Sequence, residues 1–265
     1  MHQTVAISDC YFAQRTSCWR TLGGKAAGLL ALRHRGFTTP DFAIVPTDDV
    51  AAAREDNLGR AAEAFISDRM NSAPLAVRSS SVLEDTAGAA GAGLGLSLLN
   101  VTGRRAILRA MRRVADSLRC DSLRSYRKRA ASPPNDDSEG TVILQEMIHP
   151  TVSGVLFTCD PLTGDPSQVR IEAAYGACRQ VVDGYAMVKT VVDRLTGARM
   201  VSGEDGRILP PRRIDALLEV ALRHDAEFGL RHDIEFAFAD DTRTGEEYLT
   251  LLQSRPVTTP LVQPS

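Results

Sequence analysis

No stretch of the 265-residue chain approaches the roughly 18 consecutive apolar residues that a membrane-crossing helix needs. The opening MHQTVAISDC lacks the basic-then-apolar order of a secretion signal. No membrane partner is expected, and the cytoplasm is the expected compartment. An excess of charge of one sign is missing too: 31 Lys and Arg face 33 Asp and Glu, for a formal net charge of -2. Basic residues gather only over 104–129, where helical spacing makes them a solvated face rather than a footprint for nucleic acid. The five cysteines, Cys10, Cys18, Cys120, Cys159 and Cys178, are odd in number and have no metal-type spacing, so reduced thiols are expected, with no chemistry assigned to them. Internal repeats and long low-complexity tracts are absent. What remains is ordinary for a globular protein, with 43% hydrophobic and 24% charged residues, enough to bury a core in one large domain or in two packed lobes.

The order of local patterns predicts a mixed architecture of helices and strands. GGK at 23–25 opens a short helix that stops at Gly36, and FAIVP follows as a strand. An alanine-rich helical region is predicted over 49–70, and PLAVRSS returns in extended form. Over 102–131 the residues Ala106, Ile107, Ala110, Met111, Val114 and Leu118 keep one apolar stripe at helical spacing, which SPPNDDSEG breaks with two prolines and three acids. That break is the predicted lobe boundary. Beyond it TVILQEMI, VSGVLFT, VRIEAAYG and VKTVVDR read as strands. A helix is predicted over 212–228, and DIEFAFA and EYLTLLQSRP form a closing pair of strands.

Two stretches carry candidate chemistry. Within LAVRSSSVLEDTAGAAGAGLG, at 75–95, a strand-like start gives way to a run of little except glycine and alanine. So bare a backbone suits a loop whose N–H groups close around phosphoryl oxygens, and it equally suits a flexible surface linker. In HDIEFAF the period of two sets Asp233 and Glu235 on one wet, acidic face and Ile234, Phe236 and Phe238 on the other. In LTLLQSRP the same alternation aligns Leu251, Gln253 and Arg255, and the intervening ADDTRTGEE is short enough for the strands to pair. A carboxylate, an amide oxygen and a guanidinium side by side suit magnesium-bound triphosphate, and they also suit an exposed hairpin with a surface ion pair.

Several motifs occur together in a fixed order: LGGKAAGLLALRHRGFTTPDFAIV, LAVRSSSVLED, LLNV, VILQEMIHPTVSGVLFTCDPLTGD, IEAAYG, VVDR, DIEFAFA and LLQSRPVTT. In that order they resemble the N-terminal ATP-binding domain of the phosphoenolpyruvate synthase and pyruvate phosphate dikinase family, which rifampin phosphotransferases share. The likeness runs over 22–259. It implies an α+β fold of the ATP-grasp type, in which a nucleotide is clamped between an N-terminal lobe, 1–132, carrying the Gly-rich phosphate loop, and a sheet-rich C-terminal lobe, 140–265. It implies that Lys25 and Arg78 are phosphate-facing cations and that these two and Arg255 serve catalysis. Ser79 beside Arg78, and Gly91 and Gly93 in the bare loop, fall with the nucleotide-binding residues, the loop taking the place of one that closes over the triphosphate. Gln145, Met147 and Ile148 resemble the hinge at the adenine edge, although taken by themselves they read equally as an ordinary core strand. Glu172 lies where the family has an acid near the nucleotide. Glu235 and Gln253 match the ligands of Mg²⁺, with Asp233 and Arg255 beside them. With only three lysines against twenty-eight arginines in the chain, a lysine at the motif position is not readily random surface charge.

The chain also departs from the family. Where members usually have an aromatic residue followed by Ala-Gly-Gln-Gln, the loop reads Gly91, Ala92, Gly93, Leu94, Gly95. The usual Gly-Leu-Gly-Glu is Gly176, Ala177, Cys178, Arg179, and the arginine of FTRDP is Cys159. The family's catalytic histidine sits in a swivelling domain within a Thr-Ser-His motif, and none of His2, His34, His149, His224 or His232 has that context. The expected function is therefore the MgATP-binding component of a phosphotransferase. It would transfer phosphoryl from ATP to a histidine on a separate swivelling protein, with AMP and phosphate released, and from there to a small-molecule acceptor. One alternative is a kinase or ligase acting directly on a small molecule, and another is a degenerate nucleotide-binding module without turnover.

Overall fold

The computed structural model describes residues 22–67, 73–81, 95–119, 140–161, 163–177, 181, 184–203, 206–229 and 231–257. Among them, helices and two antiparallel sheets make an α+β protein that divides into two compact units, Met1–Leu30 with Pro40–Met147 and Ala31–Thr39 with Ile148–Ser265. No helix among the described residues is long and apolar enough to cross a membrane.

The sheet of the first unit contains β1 (Phe42–Pro46), β2 (Leu75–Ser80), β3 (Ser97–Val101) and β4 (Thr141–Glu146) in the order β1-β4-β2-β3. On one face Val45, Val77, Val142 and Leu144 join an apolar cluster with α2 (Thr47–Ala52), α3 (Arg60–Ser67) and α4 (Arg104–Leu118). On the other, Phe42, Ile44 and Ile143 meet Leu22 and, from α1 (Gly24–His34), Ala26, Leu29 and Leu30. Each such fully buried side chain contributes about 1.5–3 kcal/mol. The predicted stripe on α4 is buried from Ile107 to Leu118. The helical region predicted over 49–70 is instead two short helices. The chain leaves α2 at Ala53, whose carbonyl accepts from Arg54 Nη1 at 2.9 Å, and Gly59 adopts φ +91° before α3. Glu63 of α3 accepts the Leu58 N–H at 2.7 Å and pairs with Arg104, whose guanidinium holds the Glu63 carboxyl below the ordinary carboxylate range.

The second unit is built on β5 (Val152–Phe157), β6 (Gln168–Tyr175), β7 (Val188–Asp193), β8 (Arg199–Gly203), β9 (His232–Asp240) and β10 (Glu247–Pro256), ordered β10-β9-β5-β6-β7-β8. One face carries Leu156, Ile171, Ile234, Phe236, Phe238 and Leu251 against Ile214, Leu217 and Ala221 of α5 (Pro211–Phe228). Gly154 leaves room for that closeness: a Cβ there would lie 2.0 Å from the Glu172 carbonyl oxygen and 2.8 Å from the Phe236 ring. In the second unit's interior, the rings of His224 and His232 stand 4.7 Å apart, and His224 Nε2 lies 2.9 Å from Ser254 Oγ. Burial, then the neighbouring His232, pushes His224 down to about 3.

The division differs from the predicted lobes at 1–132 and 140–265. β4 pairs through its backbone with both β1 and β2, so it is central to the first sheet, and the units meet in sequence between Met147 and Ile148. Residues 31–39 go with the second unit, where Leu32 and Phe37 enter the core and Leu251 N–H donates to the Thr38 carbonyl at 2.9 Å.

Candidate functional site

In the first unit, alternation along β2 sends Ala76, Arg78 and Ser80 to the face of β4 that bears Ile143 and Gln145. Arg78 Nη1 donates to Gln145 Oε1 at 3.1 Å, and this long-range bond orients the planar fork of the guanidinium. Gln145 is buried, 3% exposed, so its amide supports Arg78 from inside the fold. The start of α1 is tied to the end of β2. Ala26 N–H donates to Ser80 Oγ at 2.9 Å, Gly24 N–H to the Ser81 carbonyl at 3.3 Å, and Thr141 Oγ1 to the Leu22 carbonyl at 2.8 Å. Gly23, at φ +77°, comes so near that a Cβ would lie 2.4 Å from the carbonyl carbon of Ser80. Lys25 therefore begins a helix anchored two residues along the strand from Arg78. Ser79 is on the opposite side of β2, with Leu75 and Val77, and its N–H donates to the Leu96 carbonyl at 2.9 Å. Ser80, which sequence reasoning passed over, is the serine on Arg78's face. The period of two was the signal that could have distinguished them.

After β4 the chain is held at both neighbours: Glu146 N–H donates to the Asp41 carbonyl at 2.8 Å and Met147 N–H to the Pro74 carbonyl at 3.2 Å. Met147 and Ile148 are half-buried. Gly91, Gly93 and the rest of the bare loop over 82–94 lie outside the described residues, as do Cys178 and Arg179.

In the second unit, Gln253 stands opposite Glu235 and Arg255 opposite Asp233. Arg255 Nε donates to Asp233 Oδ1 at 2.9 Å and Oδ2 at 2.7 Å. The register continues across the sheet. Glu235 faces Val155 on β5, Val155 faces Glu172 on β6, and Glu172 faces Lys189 on β7, with 3.3 Å between its carboxylate and Lys189 Nζ. Val155, Ala174 and Val181 form a small apolar cluster on this side, with Phe157 and Leu252 packed against it. Two expectations are corrected here. The predicted alignment of Leu251 with Gln253 and Arg255 fails because a bulge between Leu251 and Gln253 shifts the register, leaving Leu251 opposite Phe236 in the core. Nor is the acidic face wet throughout, since Asp233 is 9% and Gln253 3% exposed.

Each unit thus gathers a polar group of its own. Lys25, Arg78, Gln145 and Met147 belong to the first unit, and Ile148, Glu172, Asp233, Glu235, Gln253 and Arg255 to the second. The family model of the pyruvate phosphate dikinase AMP/ATP-binding domain matches residues 49–263. The chain belongs to this family. Similar to this dikinase-family chain is a rifampicin phosphotransferase of Streptomyces sviceus, 31% identical over 242 residues, with 82% of the chain and 26% of the relative covered. A probable phosphoenolpyruvate synthase of Staphylothermus marinus is 37% identical over 123 residues, 46% of the chain and 15% of the relative. The chain thus spans about a quarter or less of the length of these two relatives. Among solved structures, the D-alanine-D-alanine ligase from Coxiella burnetii is 10% identical with a TM-score of 0.43, over 88% of this chain and 47% of that one.

Proposed function

We propose that this chain is the MgATP-binding component of a phosphotransferase. Its phosphoryl group passes first to a histidine on a separate swivelling protein and then to a small-molecule acceptor. The pairing of Gln253 with Glu235, beside the Arg255–Asp233 ion pair, carries this reading. It presents two hard oxygen donors on neighbouring strands next to a guanidinium. That donor set fits Mg²⁺, which takes few protein ligands and completes its shell with water and phosphate. It does not need a cluster of three acids, and among the described residues no group of three His, Cys, Asp or Glu is placed to hold a metal. Bound between these two side chains and the phosphates, Mg²⁺ would neutralise charge on the phosphoryl oxygens.

The chain's own residues bind and orient. Lys25 supplies a point charge at the start of α1, and Arg78, fixed by Gln145, supplies a fork for two phosphoryl oxygens. Arg255, held by Asp233, stabilises charge that develops in transfer. Residues 145–148 meet the base and Glu172 the nucleotide. Transfer consumes ATP, water and the acceptor histidine and yields phosphohistidine, AMP and inorganic phosphate. An acceptor outside this chain accords with His224 being buried in the second unit and His232 half-buried against it.

The test is product analysis. Alone with MgATP the chain should consume nucleotide slowly or not at all. With a protein bearing the swivelling Thr-Ser-His motif it should yield AMP and an acid-labile, base-stable phosphoprotein, and Lys25→Ala or Arg78→Ala should suppress both. Rapid ADP formation with a small molecule would replace this reading with direct transfer. Tight binding with no turnover in any combination would leave a binding module.

A further inference from the structure

Beside the row that contains Glu235 and Gln253, a second row crosses the same face of the second sheet: Arg255, Asp233, Phe157, Arg170 and Val191, on successive neighbouring strands. Arg170 lies two residues before Glu172 on β6 and so shares its face. Its Nε is shut off from solvent and has no hydrogen-bond partner among the described residues. The adjacent acids are already engaged, Asp233 by Arg255 through both oxygens and Glu172 by Lys189. A buried donor left without a partner is destabilising, and more so on a permanently charged group. A guanidinium so placed, with its neighbouring carboxylates occupied, is provided for an anion that arrives from outside.

We infer that Arg170 contacts phosphoryl oxygens of the bound nucleoside triphosphate, as a cation additional to Lys25, Arg78 and Arg255; this rests on the nucleotide-binding reading above. With strands about 4.8 Å apart, the backbone of Arg170 is roughly 10 Å from that of Asp233, across Phe157. Arg170 on β6 and Arg255 on β10 thus occupy the row next to the Glu235–Gln253 pair, on opposite sides of β9. The planar fork of arginine matches two phosphoryl oxygens, and its charge persists at every working pH. Binding would supply the partner that the buried Nε lacks.

The experiment is calorimetric titration of the full chain with MgATP, with adenosine and with inorganic phosphate, in the wild type, Arg170→Gln and Arg170→Lys. Arg170→Gln should weaken MgATP about tenfold or more, as expected for one charge-assisted hydrogen bond, while adenosine stays within about twofold. Arg170→Lys, which keeps the charge and the stem, should lose about threefold or more, and it carries the test if the glutamine variant does not fold. Equal MgATP binding by wild type and variant overturns the inference and leaves the nucleotide-binding reading standing. Loss of affinity for inorganic phosphate with MgATP unchanged also overturns it. A wild-type chain that binds no MgATP at millimolar concentration overturns both.

Discussion

The two sheets present their chemistry in different ways. The first is covered by apolar residues on both faces, so β1 reads as a nearly unbroken hydrophobic run and β2 and β4 carry the runs LAV and VIL, and Arg78 and Gln145 are polar residues embedded in one of those faces. The second has one dry face against α5, while the other mixes acids, an amide and cations with a small apolar cluster, so β6 and β9 alternate. A sheet buried on both sides must satisfy each polar side chain internally, and the Arg78–Gln145 bond does so across 67 residues of sequence. A sheet with one polar face can change that face at little cost to its core. The lesson is that equal chemistry in the two units should carry unequal structural consequences.

Removing core volume should have the largest effect. Phe236→Ala in the second sheet should cost about 3–5 kcal/mol and Ile143→Ala in the first about 2–5 kcal/mol, read by urea unfolding. The comparison is sharpened by Leu144→Ala, which removes a side chain from the other face of β4 and should cost as much as Ile143→Ala, because both are fully buried. A loss below about 1 kcal/mol for either would break the claim that the first sheet is dry on both sides.

Acid should separate the units next. His224, at about 3 in the folded protein, returns to about 6.5 on unfolding, so the unfolded chain binds the extra proton. The stability from keeping the ring neutral is whole above about pH 6.5. It falls by roughly 1.4 kcal/mol per pH unit below that, levelling near pH 3. His232, also lowered by burial, adds in the same direction. The described residues of the first unit contain no histidine. Melting temperatures from pH 7 to 4 should therefore fall more steeply in wild type than in His224→Gln, and parallel curves would refute the assignment.

The smallest structural effect belongs to the polar face. Glu235→Gln keeps the shape of a half-buried side chain and should change stability by no more than about 0.5 kcal/mol. The same variant should lose at least tenfold in Mg²⁺-dependent ATP affinity, measured against nucleotide without metal. Unchanged magnesium dependence would remove Glu235 from the metal site.

How far all this was legible in the sequence follows the same contrast. Alternation in HDIEFAF separated Asp233 and Glu235 from Ile234 and Phe236 as the structure does. It was misleading one strand later, because a bulge leaves no mark in a local pattern. β8 escaped prediction since all five of its residues are exposed and show no period. The place of β4 was hidden because its run of Val, Ile and Leu does not say which strands it pairs with, and its partners β1 and β2 both lie earlier in the chain, in the other predicted lobe. The period of two applied to VRSS places Ser80, not Ser79, on the face of Arg78, as the register does.

The extra residue in β10 acts as a phase boundary within one strand. Before it, Leu249 and Leu251 keep time with the dry side of β9, and after it Gln253 and Arg255 keep time with the acids. A point change at Leu252 alters only a half-buried side chain, and its deletion would make Leu251 and Gln253 consecutive, on alternate faces like the Phe236 and Glu235 that they already oppose. The bulge thus lets β10 carry one residue more than its partner while its dry and polar halves each keep their register with β9.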